Sequence, residues 1–283
     1  MLPKHYLSEY VDLDTHQYAV IDRVLFNKLP SAFSAIELVT PLTASQAHLY
    51  PWLIPLREIG GIEFKNLMGD IQLANNLAEM PEVCLLLKSN LSPQELKNSL
   101  LNMLIMIDDH RQRHILRFYD PRVLFHLQWM LSSWDFRSRF NLREIPCWTF
   151  WLEGQWYTLM YEQKTDCNTE EATASFNKVQ RIGLINQVLS ELPLISDITS
   201  RIETSRRIDN VLQQCPLYTD KDKIAFATHE VIYGDDIWKA KKMVVLLKYS
   251  KNVPGYYARL TSSWNEVDWL KMLNEDSQHS WRC

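Results

Sequence analysis

The chain has 283 residues, of which 46% are hydrophobic, and a formal net charge of −4 from 30 basic and 34 acidic side chains. This length allows one large domain or two modest ones. The slightly acidic balance gives no support to a nucleic-acid-binding surface, which usually shows a basic excess. Five scattered cysteines without a C-x-x-C pair argue against a disulfide framework or structural zinc, and they fit a reducing compartment.

Two counts are unusual for a chain of this length, namely ten tryptophans and only seven glycines. Few glycines predict few loops that could cradle a phosphate, whereas many tryptophans predict large amphipathic contacts in a core or an interface. The first twenty residues contain no apolar signal segment. The longest apolar run, around 100–107, is far shorter than the roughly 20 residues of a membrane span, so no membrane partner is predicted.

The first half of the chain alternates strand-like and helix-like segments, which predicts a mixed α/β lobe with a small mixed sheet over 1–165. The predicted strands are 18–21, 35–39, 52–56, 83–87 and 114–119, followed by a hairpin of 145–151 and 156–161. Prolines flank 52–56, which is typical of an edge strand. The predicted helices are 24–29, 66–78, one opened by a capping box at Ser92 and one opened by Asp120, with a helical turn at 42–50.

A polar stretch at 165–171 reads as a linker, and beyond it the apolar period is helical throughout. Residues 166–283 therefore predict an all-α lobe, which makes the fold class α+β. Gly234 is expected to end the third helix of this lobe. The fourth is expected to turn Ile237, Ala240, Val244 and Leu247 inward. A capping box at Ser263 is expected to open the last helix, with Val267, Leu270 and Leu273 inward.

The segment 117–124, with the sequence RFYDPRVL, is the most informative stretch of the chain. It predicts a strand that runs into a helix, with Asp120 as the N-cap and Pro121 at the first helical position. Arg117 and Arg122 flank Asp120, so a buried ion pair that fixes this corner is expected. The stretch contains no histidine, cysteine or serine nucleophile and no glycine, so a structural role is favoured over a catalytic one.

The tryptophans near the hairpin form the second feature that points to function. Trp148 and Trp156 are expected to pack in the core as cross-strand partners. Trp148 and Trp151 point to opposite faces of their strand, so one of the two is expected on the less buried face as an anchor for a protein partner. Trp269 lies off the apolar face of the last predicted helix and is a further candidate for partner contact. The candidate partner-binding residues are therefore Trp148, Trp151, Trp156 and Trp269.

RFYDPRVL resembles the signature of the effector adaptor (chaperone) family of type VI secretion systems. Other segments resemble this family in the same order, namely 18–22 (YAVID), 49–56 (LYPWLIPL), 87–89 (LKS) and 94–100 (QELKNSL). Together these segments lie within residues 17 to 151, and in them Asp22, Arg117, Asp120, Pro121 and Arg122 form the shared structural motif.

The resemblance implies a cytoplasmic chaperone that is encoded beside a type VI effector. Such a protein binds its cognate effector before secretion, keeps it soluble and loads it onto the VgrG spike, without an enzymatic activity, a metal or another cofactor. The helical lobe resembles the family less and is expected to carry client specificity.

Two alternatives from other classes stay open. One is a metal-dependent or hydrolytic enzyme, for which His110 and His114 are spaced as H-x-x-x-H. This spacing indicates a metal site when both histidines lie on one face of a helix, but here the segment links a helix to a strand. The other is a small-molecule or carbohydrate-binding module that uses the tryptophans. The candidate residues of the enzyme alternative are Asp108, His110 and His114, or Asp22, Asp120 and Arg122.

Overall fold

The structure is a computed structural model, in which the chain folds into two compact units, Met1–Val179 and Gln180–Cys283. The boundary predicted at 165/166 lies outside the described residues, as do most of the helix predicted at 24–29 and the linker. In the described part of the chain, no helix is long and apolar enough to cross a membrane. The residues described are 5–8, 12–24, 33–41, 43–77, 80–83, 85–108, 110–131, 133–161 and 176–274.

The first unit is built on a seven-stranded sheet with the order β1-β9-β8-β5-β2-β4-β3. Every pairing in it is antiparallel, so the small mixed sheet that the sequence predicted is larger and not mixed. The strands are β1 (His5–Ser8), β2 (Tyr18–Ile21), β3 (Ile36–Glu37), β4 (Trp52–Pro55), β5 (Leu85–Lys88), β8 (Cys147–Leu152) and β9 (Gln155–Tyr161). A separate two-stranded sheet pairs β6 (Ile105–Ile107) with β7 (Arg113–Ile115).

The strand β4 is not the edge strand that its prolines predicted, because β3 pairs with it on the outer side. That pairing joins Ile36 to Leu53 and Glu37 to Trp52 and goes no further, so Pro55 lies beyond the last residue of β4 that pairs with β3. A proline without an N–H is tolerated at such a position. The edge is therefore a two-residue strand, too short for the sequence pattern to reveal.

Both faces of the sheet are covered, which explains its apolar central strands. On one face, Ile21, Leu86 and Trp151 belong to a buried cluster that also contains Leu67 and Ile71 of the helix α1 (Gly61–Asn76). On the other face, Trp148 packs edge to face against Phe118 and Phe140, with ring centroids 6.0 and 5.3 Å apart. The core of the unit thus lies on both sides of β5 and β8.

Two helices of the first unit begin at the caps that the sequence predicted, whereas the helix predicted at 66–78 begins five residues earlier, at Gly61. The helix α2 (Pro93–Met103) opens with the predicted capping box, in which the Ser92 side chain accepts the N–H of Glu95 and the Glu95 carboxylate accepts the N–H of Ser92. The helix α3 (Pro121–Met130) opens at Asp120, also as predicted. The remaining helices of this unit are α4 (Ser133–Phe140) and α5 (Phe176–Gln180). The strand predicted at 114–119 ends at Ile115, because its partner β6 is only three residues long.

The second unit is all helical, so the predicted α+β class is confirmed. It consists of α6 (Ile182–Glu191), α7 (Ile198–Gln214), α8 (Asp220–Tyr233), α9 (Lys241–Ser250), α10 (Tyr256–Thr261) and α11 (Glu266–Asn274). Gly234 ends α8 as predicted, with a φ of 88° and its N–H donated to Glu230.

The inward faces predicted for the last two long helices of this unit are wrong in part. Ile237 and Ala240 are buried as predicted, although they precede α9 in the chain. In α9 the buried residues are Met243, Leu246 and Ser250, whereas Val244 is 51% exposed. In α11 Val267 is 55% exposed and Trp269 is buried. In both helices the longer or larger side chain takes the core position, because it removes more apolar area from water.

Candidate functional site

The predicted motif residues meet around a buried carboxylate at the end of β2. Arg117 donates from Nη2 to Oδ2 of Asp22 over 2.9 Å, although the two residues lie 95 positions apart in the sequence. Oδ1 of Asp22 accepts the N–H of Val24 at 2.9 Å. The Asp22 side chain is 3% exposed and that of Arg117 is 46% exposed, so a cation at the surface stabilises a carboxylate in the interior.

Asp120 does not form the buried ion pair that was expected to fix this corner. Its Oδ1 accepts the backbone N–H of Arg122 at 3.0 Å, which caps α3. The Arg122 guanidinium binds the same carboxylate through Nε at 3.0 Å and Nη2 at 2.8 Å. The pair is not buried, because the Arg122 side chain is 59% exposed. The long-range link to Arg117 belongs to Asp22 instead.

Tyr119 joins the segment RFYDPRVL to the segment 49–56. Its hydroxyl donates to the carbonyl of Leu49 at 3.4 Å, and the Arg117 guanidinium lies over its ring at 5.5 Å from the centroid. Burial raises the pKa of Tyr119 to about 12, so the hydroxyl stays a neutral donor. The strand β4, which follows Leu49, pairs with β2 and so lies beside Asp22. Three of the segments that resemble the adaptor family are therefore joined at this point.

A pocket of about 190 Å³ lies beside this cluster, and we call it the motif pocket. It brings four of the five predicted motif residues together with the turn of the hairpin β8–β9. In that turn, Glu153 and Gly154 have φ values of 49° and 91°, as a two-residue hairpin turn requires. The residues that line the motif pocket are Asp22, Met80, Asp120, Pro121, Arg122, Trp151, Leu152 and Glu153.

A larger pocket of about 810 Å³ lies along α1, and we call it the α1 groove. Gly61, Lys65 and Gly69 are four residues apart and share one face of the helix. At both glycines, a Cβ would find no atom within 4 Å, so this face is open. The other lining residues are Asp12, Leu13, Asp14, Phe64, Met68, Gln72, Asn76 and Trp156. This groove was not predicted, although the i, i+4, i+8 spacing of small and polar residues is visible in the sequence.

Trp151 lines the motif pocket and Trp156 lines the α1 groove. The two residues are directly opposite each other in the hairpin. The indole N–H of each is buried and has no hydrogen-bond partner among the residues that the structure describes. An unpaired buried donor costs about 1–3 kcal/mol. Trp148 differs, since its N–H donates to Ile145 at 2.9 Å.

The four tryptophans predicted to bind a partner, Trp148, Trp151, Trp156 and Trp269, are all buried, at 0%, 9%, 5% and 3% exposure. The predicted pairing of Trp148 with Trp156 is wrong, because Trp148 is opposite Leu159. The exposure expected for Trp269 is also wrong, since its ring packs against His229 and Tyr233 at 4.4 and 4.7 Å. The role of these residues in partner binding stays a prediction, and for Trp151 and Trp156 it would act through the pockets.

The histidines of the enzyme alternative do not form a joint site. His114 Nε2 lies 2.9 Å from Oδ2 of Asp108, and this contact lowers the pKa of Asp108. His110 contacts Asp108 through its backbone N–H, and its side chain is exposed. Within the residues that the structure describes, no group of three or more His, Cys, Asp or Glu side chains could hold a metal ion.

Comparison with known proteins gives one match, to a family model that covers residues 17–138. No curated protein and no solved structure matches the chain. The matched region covers less than half of the chain. It contains Asp22, Arg117, Asp120, Pro121 and Arg122, whereas the hairpin and the second unit lie outside it. Residues 17–138 match the model of a family described as Domain of unknown function (DUF4123).

Proposed function

We propose that this protein is an adaptor of a type VI secretion system. It binds a cognate effector in the cytoplasm, keeps that effector soluble and loads it onto the VgrG spike. It is not itself an enzyme and it binds neither nucleic acid nor membrane. The helical unit contributes client specificity.

One observation carries this proposal: the segments that resemble the adaptor family are joined in space. Asp22 ends the first segment, Leu49 begins the second, and Arg117 and Tyr119 come from RFYDPRVL. The segment 87–89 lies beside the first segment, because β5 pairs with β2. The match of residues 17–138 to a single family model supports the same conclusion.

The pockets beside this cluster support a binding role. Trp151 lines the motif pocket and Trp156 lines the α1 groove, so each contributes an aromatic wall to a pocket that a client segment can enter. In the α1 groove, Leu13, Phe64 and Met68 provide an apolar wall. Methionine adapts its shape to different neighbours, which suits a surface that accepts a protein segment.

Co-expression with the effector encoded beside this gene tests the proposal. We expect the effector to be soluble and to co-purify with the chain, and to aggregate when it is expressed alone. Addition of the VgrG protein should give a complex of all three. An effector that is equally soluble alone and does not co-purify would refute the adaptor role.

A small-molecule-binding module is the second candidate, because the α1 groove lies within the range of about 300–1,000 Å³ that ligand pockets span. A ligand in this groove would change the fluorescence of Trp156. Titration with sugars and nucleotides should leave the emission unchanged if the groove binds a protein segment. Saturable quenching by one compound, in a chain that binds no effector, would favour the module instead.

A further inference from the structure

The outer face of α9 has an unusual combination of charge and exposed apolar area. Between residues 237 and 265 the chain has six basic side chains and no acidic one, although its net charge is −4. We define the α9 face as Val244, Val245, Lys248, Tyr249 and Lys251. All five side chains are exposed, and the apolar ones reach 51%, 69% and 57%.

The geometry of the helix explains why these residues face outward together. Met243, Leu246 and Ser250 recur at i, i+3 and i+7 and hold α9 against its unit. The α9 face therefore lies on the opposite side. β-Branched valine is a poorer helix former than alanine, so two adjacent exposed valines stabilise neither the helix nor the core.

The neighbouring helix α10 extends the same surface. The rings of Tyr249 and Tyr256 are 4.9 Å apart, and the Arg259 guanidinium lies 5.6 Å from the centroid of Tyr256. The nearby carboxylate of Asp222 does not offset this charge at the surface. It is buried, and it accepts the backbone N–H groups of Gly255 and Ala258 at 2.7 and 2.9 Å. Tyrosine and arginine are also the residues that most often dominate binding energy at protein interfaces.

We propose that the α9 face binds an acidic amphipathic segment of the client protein. This inference rests on the proposed function and identifies the surface and the chemistry of the client. Valine and tyrosine side chains bury the apolar residues of the segment, while Lys248 and Lys251 pair with its carboxylates. A membrane surface fits less well, because an interfacial helix turns its large apolar residues toward the lipid. Here Met243 and Leu246 are buried in the unit instead.

Three probes test the α9 face with the full chain. They are a synthetic amphipathic peptide with glutamate and leucine at helical spacing, the same peptide with lysine for glutamate, and phosphatidylserine vesicles. We expect the acidic peptide to bind at least tenfold more tightly than the basic one, and its affinity to fall as salt is added. Equal binding of both peptides would overturn the inference, as would vesicle binding in place of peptide binding.

Variants with matched controls locate the surface. Lys248→Glu/Lys251→Glu should weaken binding of the acidic peptide about tenfold, which corresponds to about 1.4 kcal/mol, and Val245→Ser/Tyr249→Ser should act similarly. Controls on exposed residues elsewhere in the unit, Lys221→Glu/Lys271→Glu and Leu194→Ser, should leave it unchanged. Controls that weaken binding as much as the α9 variants would overturn the inference.

The effector complex separates this inference from the proposed function. If the unmodified chain binds the effector, both α9 variants should lose it during a wash at physiological salt while the controls retain it. Retention by the α9 variants would refute the role of the α9 face and leave the adaptor function standing. If the unmodified chain binds no effector, the adaptor function fails, and the peptide result alone decides whether the face binds acidic segments.

Discussion

Replacing Arg117 by alanine should destabilise the α/β unit more than any other change to an exposed side chain of the motif. The substitution removes the charged hydrogen bond to Asp22 and leaves a carboxylate that is 3% exposed. Among the residues that the structure describes, only the N–H of Val24 then still donates to it. A fully buried pair that loses one partner costs about 3–5 kcal/mol. Because Arg117 is 46% exposed, water can replace part of the interaction. We therefore expect a loss of about 2–3 kcal/mol.

Urea unfolding followed by circular dichroism measures this loss as a shift in the midpoint at constant slope. Arg122→Ala is the matched control, because it also removes an arginine from a carboxylate of the same motif, but on a surface where such pairs contribute about 0–1 kcal/mol. Asp22→Asn should recover part of the stability of Arg117→Ala, since it removes the charge that was left unpaired. If Arg117→Ala costs no more than Arg122→Ala, or if Asp22→Asn brings no recovery, the argument from a buried carboxylate is wrong.

Further predictions concern the cap, the turn, a buried histidine and the two kinds of tryptophan. Asp120→Ala should lower the unfolding free energy by about 1 kcal/mol, because α3 loses its cap, as urea unfolding will show. Gly154→Ala should cost on the order of 1 kcal/mol by the same measurement, since its φ of 91° strains any residue with a Cβ. Burial lowers the pKa of His16 to about 4 from 6.5. The unfolded chain therefore binds the proton first, and His16 should lower stability by up to about 2 kcal/mol between pH 7 and pH 5. His16→Gln should remove this contribution from the pH dependence of unfolding, whereas the contribution of His229, whose pKa burial also lowers to about 4, should remain. Trp148→Phe should lose more stability than Trp156→Phe, because only Trp148 gives up a hydrogen bond, whereas Trp156→Phe should weaken effector binding in the co-purification assay.

Local signals in the sequence predicted the elements that depend on a few neighbouring residues. The strand at Tyr18–Ile21, the capping box at Ser92, the cap at Asp120 and the end of α8 at Gly234 are all confirmed. Each follows from a side chain that bonds to backbone within about one turn, from a glycine that adopts a positive φ, or from a short run of apolar residues. Such features need no information about the rest of the chain.

Features that depend on distant partners could not be predicted in the same way. The pairing of Arg117 with Asp22 spans 95 residues, and the sequence offered Asp120 as a nearer partner. The face of α9 was wrong because Val244 and Met243 both fit a helical apolar period, and only packing decides between them. The α1 groove was missed because its walls come from residues near 12, along α1 and in β9. In each case tertiary contacts select among options that local sequence leaves equal.

The polar side chains of RFYDPRVL are engaged in the fold, and this limits what the motif can do. Arg117 holds Asp22, Tyr119 reaches Leu49, and Asp120 caps α3. The consequence of these contacts is that β2, β4 and α3 are fixed beside the turn of the hairpin β8–β9, where the motif pocket forms. The motif is then part of the scaffold, and under the proposed function we expect the choice of client to depend on surfaces outside it. Chains that share RFYDPRVL should therefore share this corner and differ in the α9 face.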